Sequence, residues 1–393
     1  MKILIFNELY TPYSKGGAEK STQLLAETLV KLGHEIHVCT SSNKEYDEKI
    51  NGVFVHRRIQ HNIYWSYEKD NHTSYQKIFW HFLEMYNILA YRDIKNIIIQ
   101  LKPDIIHTNV FTGFSSIIWQ IAKQEHIPIV HTLRDYYLMC IKSTLYNNSQ
   151  NCSKRCLSCQ LASYPKLLLS QKVDAVIGIS NFILNKHLQH SYFKNAFIKE
   201  VIPNSVSMPT TIQNKQRANI IGFLGRIHPS KGIEFLIESF LKINSKNYIL
   251  HIAGTGDNTY INHLKSQYNT SKIQFIGKVK AEDFLQNIKL LVVPSLWQEP
   301  FGRVIIEANT CNCPVLVSNR GGMPELINEN NGKIFNLEQK DSLSKLIQEF
   351  IDNKLTFTIN SNSYIYSNKV IAEKYLDIYQ RIYSIHNKSK ILE

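Results

Sequence analysis

Two glutamates lie eight residues apart in a segment whose composition is typical of a ligand site. Glu299 and Glu307 flank the pair Phe301-Gly302, and the segment follows the end of an apolar strand. The pattern predicts that Glu299 lies in a strand-to-helix loop and that Glu307 lies about two turns into the next helix. Glutamates at this spacing are common on surface helices, so the signal comes from the Pro, Gly and aromatic residues around them.

A helix that begins at the carboxyl end of a parallel strand favours one kind of ligand. Its unpaired backbone N–H groups and its dipole attract phosphate, and ligands bind where such strand ends meet. The Glu307 carboxylate can then accept hydrogen bonds from a ribose diol, and the Glu299 carboxylate from sugar hydroxyls. The segment is therefore a candidate site for a nucleotide sugar.

Two cations form a second candidate group. Arg226 follows the predicted strand Ile220–Leu224, and Lys231 comes just before the next predicted helix. Both would lie at the same strand end, where they could neutralise the charge that develops on a nucleoside diphosphate leaving group. Metal-dependent transferases commonly use an Asp-X-Asp site for this task, and the sequence contains no such motif. The alternative is that the two are surface charges that stabilise a loop.

Glycine-rich loops follow several predicted strands. The Gly16-Gly17 pair comes after the first strand, and Gly17 would let the backbone approach a phosphate or a sugar closely. Similar loops occur at Gly254-Thr255-Gly256 and at Gly321-Gly322. Each alone also makes an ordinary turn, but three at strand ends are better evidence than one.

The elements that would position these residues form two alternating series of strands and helices. The first opens with strand Lys2–Phe6, helix Ala18–Leu32 and strand Glu35–Thr40, a βαβ unit that implies a parallel sheet. The second begins with the strand Ile220–Leu224. The sequence thus predicts an α/β protein with two doubly wound domains, joined by a polar linker around residues 205–217.

Short motifs occur in both halves of the chain, and those of the C-terminal half are the more specific. They are Gly16-Gly17-Ala18-Glu19, Ile202-Pro203-Asn204-Ser205-Val206, Gly225-Arg226 with Lys231-Gly232, Ala253-Gly254-Thr255-Gly256, Pro294-Ser295, Glu299 to Glu307, and Gly321-Gly322-Met323-Pro324-Glu325. On these residues the whole chain resembles the retaining glycosyltransferases of family 4. This large GT-B family includes bacterial mannosyl- and N-acetylglucosaminyltransferases.

The resemblance implies two Rossmann-like domains that face a cleft. Residues 1–204 would form the acceptor-side domain and residues 205–365 the donor-binding domain, while a C-terminal helix over about 366–386 would cross back to the first. The implied activity is metal-independent transfer from a UDP- or GDP-sugar to a glycan or lipid-linked acceptor in cell-surface polysaccharide synthesis, with no cofactor required. Two alternatives are a nucleotide-sugar epimerase of the same fold and a non-catalytic GT-B partner protein of a membrane assembly.

The resemblance also assigns roles to single residues. Arg226 and Lys231 would hold the diphosphate, Glu299 the donor sugar and Glu307 the ribose. Gly17 would approach the diphosphate, while Phe301 and Gly302 would offer backbone amides. In such enzymes the leaving phosphate is thought to deprotonate the acceptor on the same face of the sugar. The remaining candidate substrate-binding residues are Gly16, Gly225, Gly254, Arg303 and Asn204.

One position departs from the family pattern. Relatives often carry Thr-X-His-Asp where this chain has Thr132-Leu133-Arg134-Asp135. Arg134 replaces a histidine that usually orients the donor sugar, and an arginine cannot act as a base. It can bind an anionic group, which makes an acidic donor or acceptor one interpretation. The other is that His131 does part of the task, although it would point to the opposite face of the strand. Arg134 and Asp135 are kept as catalytic candidates.

Four cysteines cluster within 20 residues, at Cys140, Cys152, Cys156 and Cys159. Their spacing is compatible with a structural zinc site. Reduced loop cysteines and a redox role are the alternatives.

The net charge of +13 is spread along the chain, which argues against a nucleic-acid-binding arm. Residues 51–200 hold 17 Lys and Arg against 9 Asp and Glu, hence +8, and could face anionic lipid or a phosphorylated substrate. The apolar stretch Tyr75–Leu101 predicts helices packed on the sheet, with an acceptor or lipid surface as the alternative. No signal peptide or membrane-spanning run is recognisable, so the expected location is the cytoplasm, with peripheral contact at the inner face of the membrane.

Overall fold

The computed structural model describes residues 1–14, 16–68, 72–209, 216–245, 247–359 and 362–392. Its strands are β1 (Lys2–Phe6), β2 (Glu35–Ser42), β3 (Tyr46–Ile50), β4 (Val53–Ile59), β5 (Ile105–Thr108), β6 (Ile129–Leu133), β7 (Tyr146–Asn147), β8 (Gln150–Asn151), β9 (Ala175–Gly178), β10 (Ile198–Val201), β11 (Ile220–Leu224), β12 (Ile249–Ala253), β13 (Ile273–Gly277), β14 (Leu290–Val293), β15 (Val315–Ser318) and β16 (Gly332–Phe335). Its α-helices are α1 (Gly17–Lys31), α2 (Ser74–Met85), α3 (Tyr91–Leu101), α4 (Ile117–Gln124), α5 (Leu157–Leu169), α6 (Asn181–Gln189), α7 (Ile233–Leu241), α8 (Asn258–Gln267), α9 (Ala281–Asn287), α10 (Arg303–Thr310), α11 (Ser342–Ile351) and α12 (Asn368–Leu392).

The chain divides into two compact units. The first unit comprises Met1–Leu145, Ser153–Ser205 and the chain from Asn368 onward, and the second comprises Tyr146–Cys152 and Val206–Ser367. The prediction of two doubly wound α/β domains is confirmed, since each unit is built on a largely or wholly parallel sheet.

The first unit contains an eight-stranded sheet in the order β10-β9-β6-β5-β1-β2-β4-β3. All neighbours pair in parallel except β3 and β4. Strand β1 lies inside the sheet, and its residues from Ile3 to Phe6 are fully buried, as a strand covered on both faces requires. The carboxyl ends of β1, β5 and β6 therefore lie side by side, and polar residues follow all three.

The long helix α12 returns to this first unit. The hydroxyl of Tyr375 lies 3.1 Å from the hydroxyl of Thr132, and the hydroxyl of Tyr379 lies 2.7 Å from Nδ1 of His107. All four side chains are buried. The expectation that the C-terminal helix crosses back to the first domain is therefore confirmed, and buried polar contacts hold it there.

The second unit contains a six-stranded parallel sheet in the order β13-β12-β11-β14-β15-β16. This is the Rossmann order 3-2-1-4-5-6, in which the direction of strand succession reverses between the first and the fourth strand. Here that reversal falls between β11 and β14. The loops that leave their carboxyl ends diverge to opposite faces of the sheet and create the crevice where ligands of such folds bind.

The short hairpin of β7 and β8 belongs to the second unit, although residues 1–204 were expected to form one domain. The Asn151 side chain donates to the carbonyl of Leu296 at 2.8 Å and accepts from the amide of Gln298 at 3.0 Å. These two hydrogen bonds tie the hairpin to the loop after β14. Part of the expected linker, residues 210–215, lies outside the described residues.

Helices that could cross a membrane were not found among the described residues. The apolar stretch Tyr75–Leu101 forms α2 and α3, joined by a short 3-10 turn.

Candidate functional site

The loop after β11 carries both predicted cations. The chain passes Gly225 and Arg226 and enters a 3-10 turn over Pro229–Lys231, whose start is capped by the His228 ring accepting from the amide of Ser230 at 3.2 Å. Lys231 then precedes α7. The local sequence explains this geometry, because Pro begins such a turn readily and the side chain before it supplies the cap.

The loop after β14 lies directly against this turn. The amide of Leu296 donates to the carbonyl of Ser230 at 2.8 Å. Gly232 has a φ of 71°, and a Cβ atom there would lie 2.0 Å from the carbonyl oxygen of Pro294. A side chain at position 232 would therefore drive the two loops apart.

Glu299 and Lys231 meet where the two loops touch. The carboxylate of Glu299 accepts a hydrogen bond from the ammonium group of Lys231, with which it forms an ion pair. The Ser295 hydroxyl donates to the same carboxylate oxygen at 3.1 Å. The Lys231 nitrogen also lies 5.2 Å from the ring centroid of Trp297. Both charged side chains are partly buried, which places a fixed cation beside a fixed hydrogen-bond acceptor.

The second cation, Arg226, has an exposed side chain on the same loop. Burial lowers the pKa of His228, and the charges of Arg226 and Lys231 lower it further. The electrostatic environment of this loop is thus positive, as a diphosphate would need.

Glu307 lies in α10, as predicted, but nearer its start. The helix begins at Arg303 after Gly302, whose φ of 96° is left-handed, so Glu307 is just over one turn into the helix rather than two. The guanidinium of Arg303 donates to the Glu307 carboxylate at 2.8 Å. The Phe301 ring is buried, so this residue has only its backbone to offer a ligand.

Several predicted ligand-binding glycines have a packing role in this structure. A Cβ atom on Gly254 would lie 1.8 Å from the carbonyl oxygen of Gly225, and one on Gly321 would lie 2.0 Å from the carbonyl oxygen of Glu299. The amide of Gly322 donates to that same carbonyl at 2.7 Å. The glycines let the loops after β11, β12, β14 and β15 pack backbone to backbone, and this contact positions Glu299.

In the first unit, Arg134 and Asn204 are brought together. The Arg134 guanidinium donates to Oδ1 of Asn109 at 2.8 Å and to Oδ1 of Asn204 at 2.5 Å. These residues follow the ends of β6, β5 and β10, respectively. Arg134 is buried, and the side-chain amide oxygens of the two asparagines fix the plane of its guanidinium group.

Asp135 follows this arginine in the chain. Its carboxylate accepts from the amide of Tyr137 at 2.8 Å. Burial raises the pKa of Asp135 to about 7, and the charges of Glu8 and Glu19 raise it as well. A carboxyl group with such a pKa can change its protonation near neutral pH.

His131 lies in the hydrophobic interior of the first unit. Its ring stacks on Phe193 with 5.5 Å between centroids and meets the rings of Phe111 and Trp119 edge-on. The Thr108 hydroxyl lies 2.8 Å from its Nδ1. Burial lowers its pKa well below the usual value. The ring therefore packs as a neutral core side chain, separate from the polar groups around Arg134.

The Gly16-Gly17 pair lies at the exposed start of α1. The amide of Gly16 donates to the Glu19 carboxylate at 3.0 Å, and a Cβ atom built on Gly16 would have no neighbour within 4 Å. The backbone of this pair is therefore exposed, and its contact with a phosphate or a sugar stays a prediction.

The four clustered cysteines differ in their burial. Cys140 and Cys159 are buried, and Cys156 is exposed at the start of α5, where a hydrogen bond with Ser158 lowers its pKa to about 7. Cys152 belongs to the other unit. Within the described part of the chain, no three His, Cys, Asp or Glu side chains are grouped to hold a metal ion.

The polar residues Asn109 and His228 were missed by the sequence analysis, which assigned no contact to Ser295. Each follows a strand end within a few residues, which is the available signal. Ser295 belongs to a recognised motif, but its contact with Glu299 depends on the turn between them.

Comparison with known proteins gives matches over nearly the whole chain. A family model described as Glycosyltransferase Family 4 matches residues 15–208, and one described as Glycosyl transferases group 1 matches residues 209–369. An uncharacterised 42.6 kDa protein in the cps region of Klebsiella pneumoniae is 34% identical over 387 residues, covering 97% of this chain and 100% of that protein.

Solved structures agree with these matches at the level of the fold. Sucrose-phosphate synthase from Thermosynechococcus elongatus has a TM-score of 0.75 at 20% identity, covering 98% of this chain and 99% of the other. Anabaena HepE in complex with UDP and glucose has a TM-score of 0.68 at 18% identity, covering 97% and 100%. Both likenesses extend across the two units.

Proposed function

The chain belongs to the glycosyltransferases of family 4, which have the GT-B fold, and we propose that it is a retaining enzyme. It would move a sugar from a nucleotide sugar to a glycan or lipid-linked acceptor. The observation that carries this proposal is the contact between Lys231 and Glu299. It supports the proposal because a cation suited to a diphosphate lies beside a hydrogen-bond acceptor suited to sugar hydroxyls, at the reversal of strand order between β11 and β14.

The diphosphate of the donor would bind at the loop after β11. Lys231 and Arg226 neutralise the charge that develops there as the bond to the sugar breaks, without a metal ion. The amides near Gly302, at the start of α10, add the positive end of a helix. Because Lys231 is already held by Glu299, binding needs little rearrangement of that side chain.

The remaining donor contacts follow from the two glutamates. Glu299 accepts from hydroxyls of the transferred sugar, and its position is fixed by Ser295 and by Gly322, which bind its carboxylate and its carbonyl. Glu307 accepts from the ribose hydroxyls, and Arg303 orients its carboxylate from one turn earlier on α10.

Transfer would occur with retention of configuration on one face of the sugar. The bond between the anomeric carbon and the leaving phosphate oxygen breaks, and the acceptor oxygen bonds to the same face of that carbon. The acceptor proton passes to the leaving phosphate, so no protein base is needed. Such a step is consistent with Arg134 at the position of the usual histidine, since arginine cannot accept a proton.

Two of the similar proteins suggest the substrates. The HepE complex holds UDP and glucose, which supports a UDP-sugar donor, and GDP-sugars are the alternative. The Klebsiella relative lies in the cps region, which supports a role in surface-polysaccharide synthesis. An acceptor linked to lipid would bring the protein to the membrane as a peripheral enzyme.

A donor screen tests this proposal. UDP-, GDP- and ADP-sugars are added singly to the purified protein, and the melting temperature is measured with and without EDTA. We expect one nucleotide class to raise the melting temperature in both conditions. Turnover with candidate acceptors follows, and NMR of the product gives its anomeric configuration. Absence of stabilisation by every nucleotide sugar would contradict the donor site, and an inverted product would contradict the retaining step.

A further inference from the structure

Two neighbouring helices of the first unit expose many large apolar side chains. Helices α2 and α5 pack against each other, and a surface helix normally turns its apolar stripe toward the core. Here a second set of apolar side chains points to solvent: Tyr75 is 86% exposed and Leu157 is 71% exposed. We define the apolar face as Tyr75, Ile78, Phe79 and Phe82 of α2 with Leu157, Leu161, Tyr164 and Leu168 of α5, all of which are exposed.

One charged group of each helix lies among its buried residues and has defined partners, beside Trp80 of α2 and Cys159, Ser163 and Leu169 of α5. Glu84 of α2 is buried and accepts from the amide of Gly113 at 3.0 Å and from the hydroxyl of Tyr137. Lys166 of α5 is buried, donates to the carbonyl of Tyr137 at 3.2 Å and lies 3.5 Å from the centroid of its ring. Because both side chains are anchored on Tyr137, neither helix can rotate its apolar stripe inward without losing buried polar contacts.

The spacing of the exposed residues shows that each helix presents one continuous stripe. Tyr75, Ile78, Phe79 and Phe82 follow at intervals of three, one and three residues, and the four residues of α5 at intervals of four, three and four. Such intervals place side chains on one side of a helix. Large exposed apolar patches on soluble proteins mark interaction sites.

The sequence segments that contain the two helices are rich in basic residues. No Asp or Glu occurs between Asp135 and Asp174, a stretch with five Lys and Arg. Across 72–92, every residue of which is described, the single acidic residue is the buried Glu84. Lys77 and Lys154 are exposed on and beside the two helices. Apolar stripes beside exposed basic residues match an anionic membrane interface.

We propose that the apolar face docks on an anionic phospholipid bilayer, with Phe79, Phe82 and Leu161 entering the boundary between headgroups and acyl chains. A second copy of the chain fits less well, because a two-fold contact would place each basic rim against itself. The docking proposal rests on the proposed function in one respect, namely that the acceptor is linked to lipid. Docking would hold the first unit, with Arg134 and Asp135, at the surface where such acceptors lie.

The test is a sedimentation assay of the full chain with vesicles. Equimolar phosphatidylcholine and phosphatidylglycerol vesicles are compared with pure phosphatidylcholine, and we expect stronger binding to the anionic set. The double variant Phe79→Ser with Phe82→Ser should bind both sets less well, by roughly 100-fold or more. Lys77→Glu with Lys154→Glu should lower binding to anionic vesicles by roughly 100-fold and to neutral ones much less.

Two leucines give a matched control. Leu161 in α5 is 61% exposed, and Leu241 at the end of α7 in the second unit is 47% exposed. Leu161→Ser should weaken vesicle binding by roughly tenfold, and Leu241→Ser should leave it unchanged. Because both side chains are exposed, the melting temperature should stay the same in both variants, which excludes unfolding as the cause.

Three outcomes would overturn the proposal. In the first, the unmodified protein does not sediment with anionic vesicles, and in the second, the phenylalanine double variant binds these vesicles as well as the unmodified protein does. In the third, sedimentation velocity shows that the unmodified protein is a dimer and that the double variant is a monomer. The last result would assign the face to self-association instead. Stabilisation by nucleotide sugars is measured in parallel on the unmodified protein. If the protein binds vesicles but no donor, only the transferase proposal is contradicted. If it binds a donor but no vesicles, only the docking proposal is contradicted.

Discussion

The ammonium group of Lys231 forms an ion pair with the carboxylate of Glu299, although 68 residues separate them in the sequence. Lys231 comes from the loop after β11 and Glu299 from the loop after β14. These two strands are neighbours where the strand order of the sheet reverses. The pair therefore joins the two halves of a Rossmann-like sheet at the place where such sheets bind ligands.

Replacing Lys231 by alanine tests its proposed role in stabilising the leaving group. The variant should lose roughly 100- to 1,000-fold in kcat with the preferred donor, because one preorganised charge at the developing diphosphate is removed. Steady-state turnover measures this. The matched control is Lys242→Ala, which breaks an exposed ion pair with Asp341 in the same unit, 3.0 Å long. Its turnover should be unchanged. Equal turnover by both variants would remove Lys231 from the mechanism.

Glu307 is expected to bind the ribose of the donor. Glu307→Ala should weaken donor binding by roughly ten- to 100-fold, the effect of losing hydrogen bonds to a charged group. Calorimetry with the donor nucleotide and with its 2′-deoxyribose analogue isolates the contact between Glu307 and the ribose hydroxyls. The analogue lacks one of these hydroxyls, so Glu307→Ala should reduce the affinity for the analogue much less than the affinity for the donor nucleotide. Glu338→Ala, which breaks a comparable arginine pair with Arg320, serves as control. An equal loss for both nucleotides would assign Glu307 to another role.

Much of the fold could be predicted from the hydrophobic pattern. The bounds of β1 and β11 agree with the predicted strands to the residue, because polar residues on either side of a short apolar run mark where the strand begins and ends. Strand β4 was missed. It contains Arg57 and Arg58, which resemble a solvated loop in sequence, yet Arg57 is fully buried and donates to Glu48 at 2.5 Å. Burial of the Arg57 charge costs less because Glu48, nine residues earlier on the other strand of the hairpin, pairs with it. The hydropathy of single residues does not reveal this pairing.

The site was predictable only in part, for a related physical reason. The position of Lys231 and Glu299 follows from local patterns, since both lie at the carboxyl ends of parallel strands. Their direct contact depends on which strands are neighbours, and this is set by the topology of the whole sheet. The same holds for Arg134, whose amide partners Asn109 and Asn204 come from other strand ends. For His131, the aromatic residues around it come from separate elements, so its burial was not evident.

The loop glycines predict a difference in stability. Gly254→Ala should lower the free energy of unfolding by about 3 kcal/mol or more, because a methyl group at φ 140° would overlap the carbonyl of Gly225. Gly277→Ala is the control. Its φ is 72° but no atom lies within 4 Å of the new methyl group, so about 1–2 kcal/mol of backbone strain is expected. Urea unfolding measures both. A Gly254 variant as stable as the Gly277 variant would show that the loops move apart without cost.

The raised pKa of Asp135 predicts how stability depends on pH. The folded protein holds this proton up to about pH 7 because burial penalises the charged carboxylate, while the unfolded chain releases it near pH 4. Between these values Asp135 binds more protons in the folded state, so its contribution to the free energy of unfolding falls as pH rises. Asp135→Asn cannot ionise, so between pH 5 and pH 7 its free energy of unfolding should change with a slope more positive than that of the unmodified protein by up to about 1.4 kcal/mol per pH unit.

Urea unfolding at several pH values compares this variant with Glu338→Gln. Hydrogen bonds from Arg320 and Asn319 lower the pKa of Glu338 to about 2, so its contribution to stability is lost only in more acidic solution. The Glu338 variant should therefore parallel the unmodified protein between pH 5 and pH 7. Glu84, whose pKa burial raises to about 7, acts in the same direction as Asp135 and remains in both variants. Its contribution should disappear only when Glu84→Gln is added. If the Asp135→Asn profile instead runs parallel to that of the unmodified protein, Asp135 is ionised throughout this range.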